Sequence, residues 1–141
     1  MAEIINGKEL AKNIRLELKN EVSKLKEKGI IPKLAVIMVG DDKASKVYVK
    51  NKSKACEEIG IEYEEFLLDE SISMEELLNL IEKLNNRKDI NGILLQSPIP
   101  KNLNIDEAFN KIDYKKDVDG FNPVNVGKLV IGQDSFISCT P

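Results

Sequence analysis

The chain has 141 residues, of which 42% are hydrophobic, and a formal net charge of −3. This is enough apolar material for one ordinary domain, and the acidic balance argues against a nucleic-acid-binding protein, which usually carries a basic surplus. The absence of histidine excludes the usual zinc sites and the His-activated nucleophiles, so any proton transfer would use Lys, Asp, Glu, Tyr or Cys.

The chain shows no targeting or membrane signal. Its start has no signal-peptide pattern, and the longest strongly apolar run, residues 34–39, is far too short to span a membrane. Cys56 and Cys139 lie far apart in sequence and suggest no disulfide framework. We therefore expect a soluble, cytoplasmic protein with neither a membrane nor a nucleic acid as partner.

The first predicted elements are an amphipathic helix and a buried strand. Apolar residues recur at steps of three and four after Asn6, and Gly29 is typical of a helix end. Residues 33–39 form a continuous apolar run between Pro32 and Gly40, which favours a strand that is buried on both faces.

Two further helix–strand pairs follow. The acids at residues 41–42 can cap a second helix that Gly60 ends, and residues 61–68 are typical of a strand. Ser73 and Glu76 form a capping box ahead of a third helix, and residues 92–96 (GILLQ) predict a short buried strand.

The end of the chain is less regular. A fourth helix is predicted to begin near Asn104 and run through Ile112, and after Asp117 the chain becomes turn-rich. The alternation of helices and strands predicts a three-layer αβα domain with a mostly parallel sheet, Rossmann-like in class. Ligands of such sheets bind outside the carboxyl ends of the strands, here residues 40–42 and 96–98.

No dinucleotide or ATP fingerprint accompanies this fold. Neither GxGxxG nor GxxxxGK[ST] occurs in the sequence, so no site for a dinucleotide or for ATP phosphates is evident. The chain ends abruptly at residues 138–141 (SCTP), which suggests a cut at a domain boundary.

The second helix carries the first candidate for chemistry. Ser45, Tyr48, Lys52 and Cys56 share one face, because residues three and four apart are neighbours on a helix. This spacing selects Lys52, among several lysines, as the one paired with the tyrosine ring. The same pattern also fits a boundary tyrosine beside a solvated lysine, and spacing alone does not decide between the two.

Gln96 is the second candidate, because an amide is unexpected at the end of an apolar strand. A buried amide without partners costs about 1–3 kcal/mol. Lys52 or a ligand could supply a partner, although a glutamine facing water at the strand end is the simpler alternative. Pro98 and Pro100 follow and stiffen the loop.

Asp117 and Asp119 form a third candidate. In an extended segment both carboxylates would point the same way and could bind an amino-bearing heterocycle or a metal ion. A calcium-binding EF-hand is excluded, since Phe121 and Asn122 stand where that loop needs Asp or Asn and then glycine. An ordinary Asp-Gly turn at residues 119–120 is the alternative.

Taken together, the segments SKVYVKNKSKACEEIGI, GILLQSPIP, KKDVDGFNPVNVGKL and SCTP resemble, in order and spacing, the N-terminal catalytic domain of the bifunctional methylenetetrahydrofolate dehydrogenase/cyclohydrolase family. The resemblance implies that Lys52 is essential for the cyclohydrolase step and that Tyr48 packs against the folate rings. It further implies that Gln96 contacts the lysine and helps to set its protonation, and that Asp119 hydrogen-bonds the amino-pyrimidine edge of the pterin.

The resemblance also implies what lies outside this chain. The full enzyme would continue into a Rossmann domain that binds NADP or NAD, form a homodimer and serve one-carbon metabolism and purine biosynthesis with a tetrahydrofolate derivative as substrate. Ser97, Asn122 and Ser138 depart from the usual residues of the family, and none of them replaces a proposed catalytic group.

Two other classes of function stay open. One is a non-catalytic folate-binding or interaction fragment. The other is a flavodoxin-like phosphoacceptor domain, which needs an aspartate at the end of its third strand, where this chain has Gln96.

Overall fold

A computed structural model describes residues 6–139. The elements in chain order are α1 (Gly7–Glu27), β1 (Lys33–Val39), α2 (Lys43–Ile59), β2 (Glu62–Leu68), α3 (Met74–Asn86), β3 (Gly92–Gln96), α4 (Ile105–Lys111) and α5 (Pro123–Val130).

The three strands form one parallel sheet in the order β2-β1-β3, with Ile37 opposite Phe66 on one side and Leu95 on the other. Parallel strands need helical crossovers, and the regular alternation in the sequence supplies them. The strand order reverses between β1 and β3, so the crevice at their carboxyl ends is the expected place for a ligand. The predicted α/β class is confirmed.

Helices cover the sheet on both faces because β1 is apolar at every position along its buried length. Ala35, Ile37 and Val39 point to one face, where residues of α3 and α4 pack against them. Val36 and Met38 point to the other face and contact α2. On this face Val49 of α2 packs together with Val36 and Met38 of β1 and Leu94 of β3.

The predicted helix boundaries depend on the caps that the sequence indicated. Asp42 accepts a hydrogen bond from the backbone N–H of Ser45 at 2.7 Å, and Ser73 and Glu76 form a reciprocal capping box. Gly60 ends α2 with a φ of 86°, in the left-handed region that favours glycine.

Two features differ from the sequence prediction. The segment described as turn-rich contains a helix, α5, which Asn122 caps and Pro123 begins. The apolar stripe of α1 is only partly covered, because Val22 is buried whereas Leu10 and Ile14 are exposed. Within residues 6–139, no helix combines the length and the apolar character that crossing a bilayer requires.

Candidate functional site

Lys52 and Gln96 meet at the boundary between α2 and β3. The Lys52 ammonium donates a hydrogen bond to the Gln96 carbonyl oxygen Oε1 at 2.8 Å. The other end of the amide, Nε2, donates to the backbone carbonyl of Ser97 at 2.7 Å, which turns Oε1 towards the lysine. Gln96 is buried, and both ends of its amide have a partner, so the contact that the sequence suggested is present.

Tyr48 lies one turn before Lys52 on the same face of α2, and 59% of it is exposed. An exposed aromatic ring beside a lysine can stack on a flat heterocycle. At the two ends of the stripe, Ser45 and Cys56 are buried, and burial raises the pKa of the Cys56 thiol, which keeps it protonated. The polar stripe therefore opens to solvent only around Tyr48 and Lys52.

Asp119 brings a carboxylate close to this pair. Burial raises the pKa of Asp119, the positive charge of Lys52 acts to lower it, and the negative charge of Asp117 acts to raise it. The Asp119 carboxylate is thus partly desolvated and opposes one cation, which suits it to accept hydrogen bonds from an uncharged or cationic amino group of a ligand.

The two acids of the Asp-Val-Asp-Gly segment do not form a ligand-binding pair, contrary to one interpretation of the sequence. Asp117 is buried, and its carboxylate accepts hydrogen bonds from the backbone N–H groups of Gly120 (3.0 Å) and Asn122 (2.8 Å) and from the Asn125 side chain (2.9 Å). The protein's own donors occupy both oxygens, so Asp119 alone is left to meet a ligand.

Three other lysines of α2 face a different cleft. A cavity of about 970 Å³ lies between α2 and the edge strand β2, and Lys46, Lys50 and Lys54 line it together with Glu65. Neither Lys52 nor Gln96 lines it, so the face with the tyrosine and the face with most of the lysines are separate surfaces.

The site does not fit a nucleotide phosphate. In dinucleotide-binding folds the pyrophosphate sits at the N-terminus of the helix that follows the first strand. Here that helix is α2, and its N-terminus carries Asp41 and Asp42, of which Asp42 itself caps the free N–H of Ser45. This helix N-terminus therefore offers no site for the phosphates of NAD or NADP.

Comparison with known proteins identifies the family. The sequence model of one protein family, the tetrahydrofolate dehydrogenase/cyclohydrolase catalytic domain, matches residues 5–119. This span includes Tyr48, Lys52, Gln96 and Asp119. The chain belongs to this family. The match covers all three strands of the sheet and ends at Asp119, in the Asp-Val-Asp-Gly segment.

Relatives and solved structures agree with this assignment. The bifunctional protein FolD of Acetivibrio thermocellus is 54% identical over 140 residues, which is 99% of this chain and 49% of the relative. The crystal structure of the bifunctional FolD enzyme of Campylobacter jejuni has a TM-score of 0.94 and 48% identity, over 96% of this chain and 48% of that one. The chain spans about half the length of the curated relatives it matches.

A third comparison includes a cofactor. The FolD methylenetetrahydrofolate dehydrogenase-cyclohydrolase of Trypanosoma brucei, solved with NADP and an inhibitor, has a TM-score of 0.91 and 34% identity, and the match covers 96% of this chain and 47% of that protein.

Sequence reasoning missed one buried group beside the site. Asn125, on α5, is only 1% exposed and donates to both the Tyr114 carbonyl (2.8 Å) and the Asp117 carboxylate. The signal was available, because an asparagine followed by proline, as at residues 122–123, is a common helix start. A helix there would have placed Asn125 in its first turn, facing back towards the acidic loop.

Proposed function

We propose that this chain forms the folate site of a bifunctional methylenetetrahydrofolate dehydrogenase/cyclohydrolase. The observation that carries the proposal is the 2.8 Å hydrogen bond between Lys52 and Gln96, made at the carboxyl end of β3 and within reach of the charge of Asp119. An ammonium, an amide and a carboxylate in one crevice, with an exposed tyrosine ring beside them, match the polar and flat parts of a reduced pterin.

The cyclohydrolase step needs only groups of this chain. Water attacks the methenyl carbon of 5,10-methenyltetrahydrofolate, and the ring then opens to give 10-formyltetrahydrofolate. Lys52 moves the proton or polarises the folate nitrogen, while Gln96 holds the ammonium in place through its carbonyl oxygen. Tyr48 stacks on the substrate, and Asp119 accepts from its amino-pyrimidine edge.

The dehydrogenase step requires a second half. In this step 5,10-methylenetetrahydrofolate gives up a hydride to NADP or NAD, which a Rossmann domain beyond residue 141 of a longer enzyme would hold. Two facts support this division: the chain spans about half of its relatives, and Val130, Ile131 and Ile137 are exposed apolar residues near its end. The longer enzyme would be a cytoplasmic homodimer that supplies one-carbon units to purine biosynthesis.

A lysine variant tests the catalytic assignment. We expect Lys52→Met to slow hydrolysis of methenyltetrahydrofolate by about 10²- to 10⁴-fold, the usual contribution of a general acid–base group. The dissociation constant of a folate analogue should change far less, since stacking and the Asp119 contact remain. Hydrolysis is followed by loss of the methenyl chromophore, and binding by calorimetry.

Lys50→Met is the matched control, because Lys50 lies on the same helix but lines the other cleft. It should hydrolyse the substrate at the wild-type rate. If Lys52→Met also did so, the role given to this lysine would be wrong. A wild-type chain that binds the analogue without hydrolysing methenyltetrahydrofolate would support the non-catalytic folate-binding alternative instead.

The phosphoacceptor alternative has less support. The residue at the end of β3 is an amide whose two ends are occupied by Lys52 and the carbonyl of Ser97, so that position offers no carboxylate to phosphorylate. Labelling with a small phosphodonor is the experiment that would revive it.

The second half can be tested directly. A chimera that joins this chain to the second half of the Acetivibrio thermocellus relative should reduce NADP or NAD in the presence of methylenetetrahydrofolate, whereas the chain alone should not. Reduction by the isolated chain would contradict the proposed division of labour.

A further inference from the structure

The loop that carries Asp119 is organised around a buried carboxylate. Asp117 receives the N–H of Gly120 on one oxygen, and the N–H of Asn122 and the Asn125 amide on the other. All three donors follow Asp119 in the chain, whereas Asp117 precedes it, so these hydrogen bonds tie the two ends of the turn that carries Asp119. The Asp117 carboxylate is therefore fully engaged by donors of the protein itself.

Asn125 ties this carboxylate to the rest of the fold. It stands in the first turn of α5 and also donates to the carbonyl of Tyr114, which precedes the loop. One side chain therefore joins α5, the entry to the loop and Asp117. Because Asn125 is only 1% exposed, water cannot take the place of these two acceptors if the hydrogen bonds are lost.

Close packing on both sides prevents the loop from relaxing. Val118 lies so near β3 that a Cβ on Gly92 would stand 2.6 Å from its Cγ1. Gly120 has a φ of 72°, and a Cβ there would stand 2.6 Å from the carbonyl oxygen of Phe136, which crosses over the turn. Asp119 thus sits between two residues that pack closely against other parts of the fold.

We propose that Asp117 and Asn125 are positioning residues that fix where Asp119 presents its carboxylate to the pterin of a bound folate. The inference rests on the proposed function for the identity of the ligand. Neither residue touches the substrate: Asp117 has no oxygen to spare, and Asn125 lies behind it. Their effect on binding passes through Asp119 alone.

Asp117 also influences the charge of Asp119. Two charged groups act on that carboxylate besides its burial, Lys52 from α2 and Asp117 from its own loop. Lys52 favours the ionised form, and Asp117 disfavours it. Asp117 therefore both orients Asp119 and keeps its carboxylate more readily protonated than Lys52 alone would allow.

The central experiment is Asn125→Ala in the 141-residue chain. We expect the dissociation constant of a folate analogue to rise about tenfold or more, because a hydrogen bond to a charged group is misaligned. The rate of methenyltetrahydrofolate hydrolysis at saturation should stay within about threefold of the wild type, since Lys52 and Gln96 are untouched.

Asn122→Ala is the matched control. Asn122 is also buried, at the start of the same helix. Its side chain donates to the carbonyl of Ile112 at 2.8 Å and accepts from the N–H of Val124 as the helix cap, but its contact with Asp117 is made by the backbone N–H, which alanine keeps. This variant should lose stability without a change in the dissociation constant. Equal weakening of binding in both variants would overturn the proposal.

Two readouts do not depend on folate. Asn125→Ala should speed hydrogen exchange at the amides of Gly120 and Asn122. Asp117→Asn, which conserves volume and replaces the other variant if it does not fold, should lower the titration midpoint of the Asp119 carboxyl measured by ¹³C NMR. Unchanged exchange and an unchanged midpoint would refute the positioning role even if the chain bound no folate, an outcome that would separately refute the proposed function.

Discussion

The contact between Gly92 and Val118 allows a quantitative prediction about how the acidic loop is held. A Cβ built on Gly92 would lie 2.6 Å from Cγ1 of Val118 and 3.2 Å from Cδ1 of Leu34. Carbon atoms in contact prefer about 3.5–4.0 Å, so Gly92→Ala forces a displacement of about 1 Å at Val118. Overpacking of this kind costs about 1–3 kcal/mol.

The destabilisation caused by Gly92→Ala should come mainly from its contact with Val118. Val118→Ala alone removes two partly buried methyl groups and should cost about 1–2 kcal/mol. In the double variant the close contact no longer exists, and the Leu34 side chain can turn away. We therefore expect the double variant to be about 1–2 kcal/mol more stable than the sum of the single effects predicts.

Urea unfolding followed by circular dichroism measures these free energies, with an unchanged m-value as the check that the unfolded state is the same. Gly127→Ala is the matched control, since no atom lies near its Cβ position, and alanine in a helix should stabilise by about 0.5–1 kcal/mol. Strict additivity in the double variant, or a Gly92→Ala protein as stable as the wild type, would show that the loop is not packed as described.

Two pH predictions follow from the charged groups. Hydrogen bonds from Arg87 and Lys33 hold the pKa of Asp89 well below its usual range, and those from Arg87 also lower the pKa of Glu64. Stability from these carboxylates is present above their ordinary pKa values of about 4 and is lost as the pH falls through the lowered values. Arg87→Met should therefore flatten the loss of stability between neutral and acid pH, while Lys111→Met, which breaks a single exposed pair with Glu82, should not. Asp119 behaves in the opposite sense: because its pKa is raised, its ionised form opposes folding at neutral pH and ceases to do so in acid. Asp119→Asn should raise the urea midpoint at pH 7, show no gain in acid, and weaken binding of a folate analogue; a lower midpoint at pH 7 would contradict this reasoning.

The helix-borne half of the site could be predicted from the sequence because a helix has a fixed period. Tyr48 and Lys52 are four residues apart, and no tertiary contact alters which face they share. Gln96 was recognisable because an amide interrupts an apolar strand. That Lys52 reaches Gln96 also required α2 to lie over β3, which the alternation of elements made probable but did not determine.

The loop-borne half could not be predicted in the same way. Whether a carboxylate faces a ligand or the protein's own N–H groups depends on where the chain goes next, and Asp117 and Asp119 look equivalent in sequence. Asn125 distinguishes the two acids, because its side chain donates a hydrogen bond to Asp117. Its position depends on α5, whose Asn, Gly and Pro residues favour turns when composition alone is considered. The apolar stripe of α1 shows the same limit, since its spacing does not tell how far α2 extends along it.

The two halves of the site differ in how they can respond to a ligand. Lys52 is a flexible side chain held by one hydrogen bond, so its ammonium can exchange Gln96 for a substrate atom with little rearrangement. Asp119 belongs to a closely packed loop, and its carboxylate is partly desolvated before any ligand arrives. A ligand that donates to Asp119 therefore relieves an existing electrostatic penalty, whereas one that engages Lys52 replaces an existing bond. Binding strength should accordingly come mainly from the fixed carboxylate, which leaves the mobile ammonium available for the chemical step.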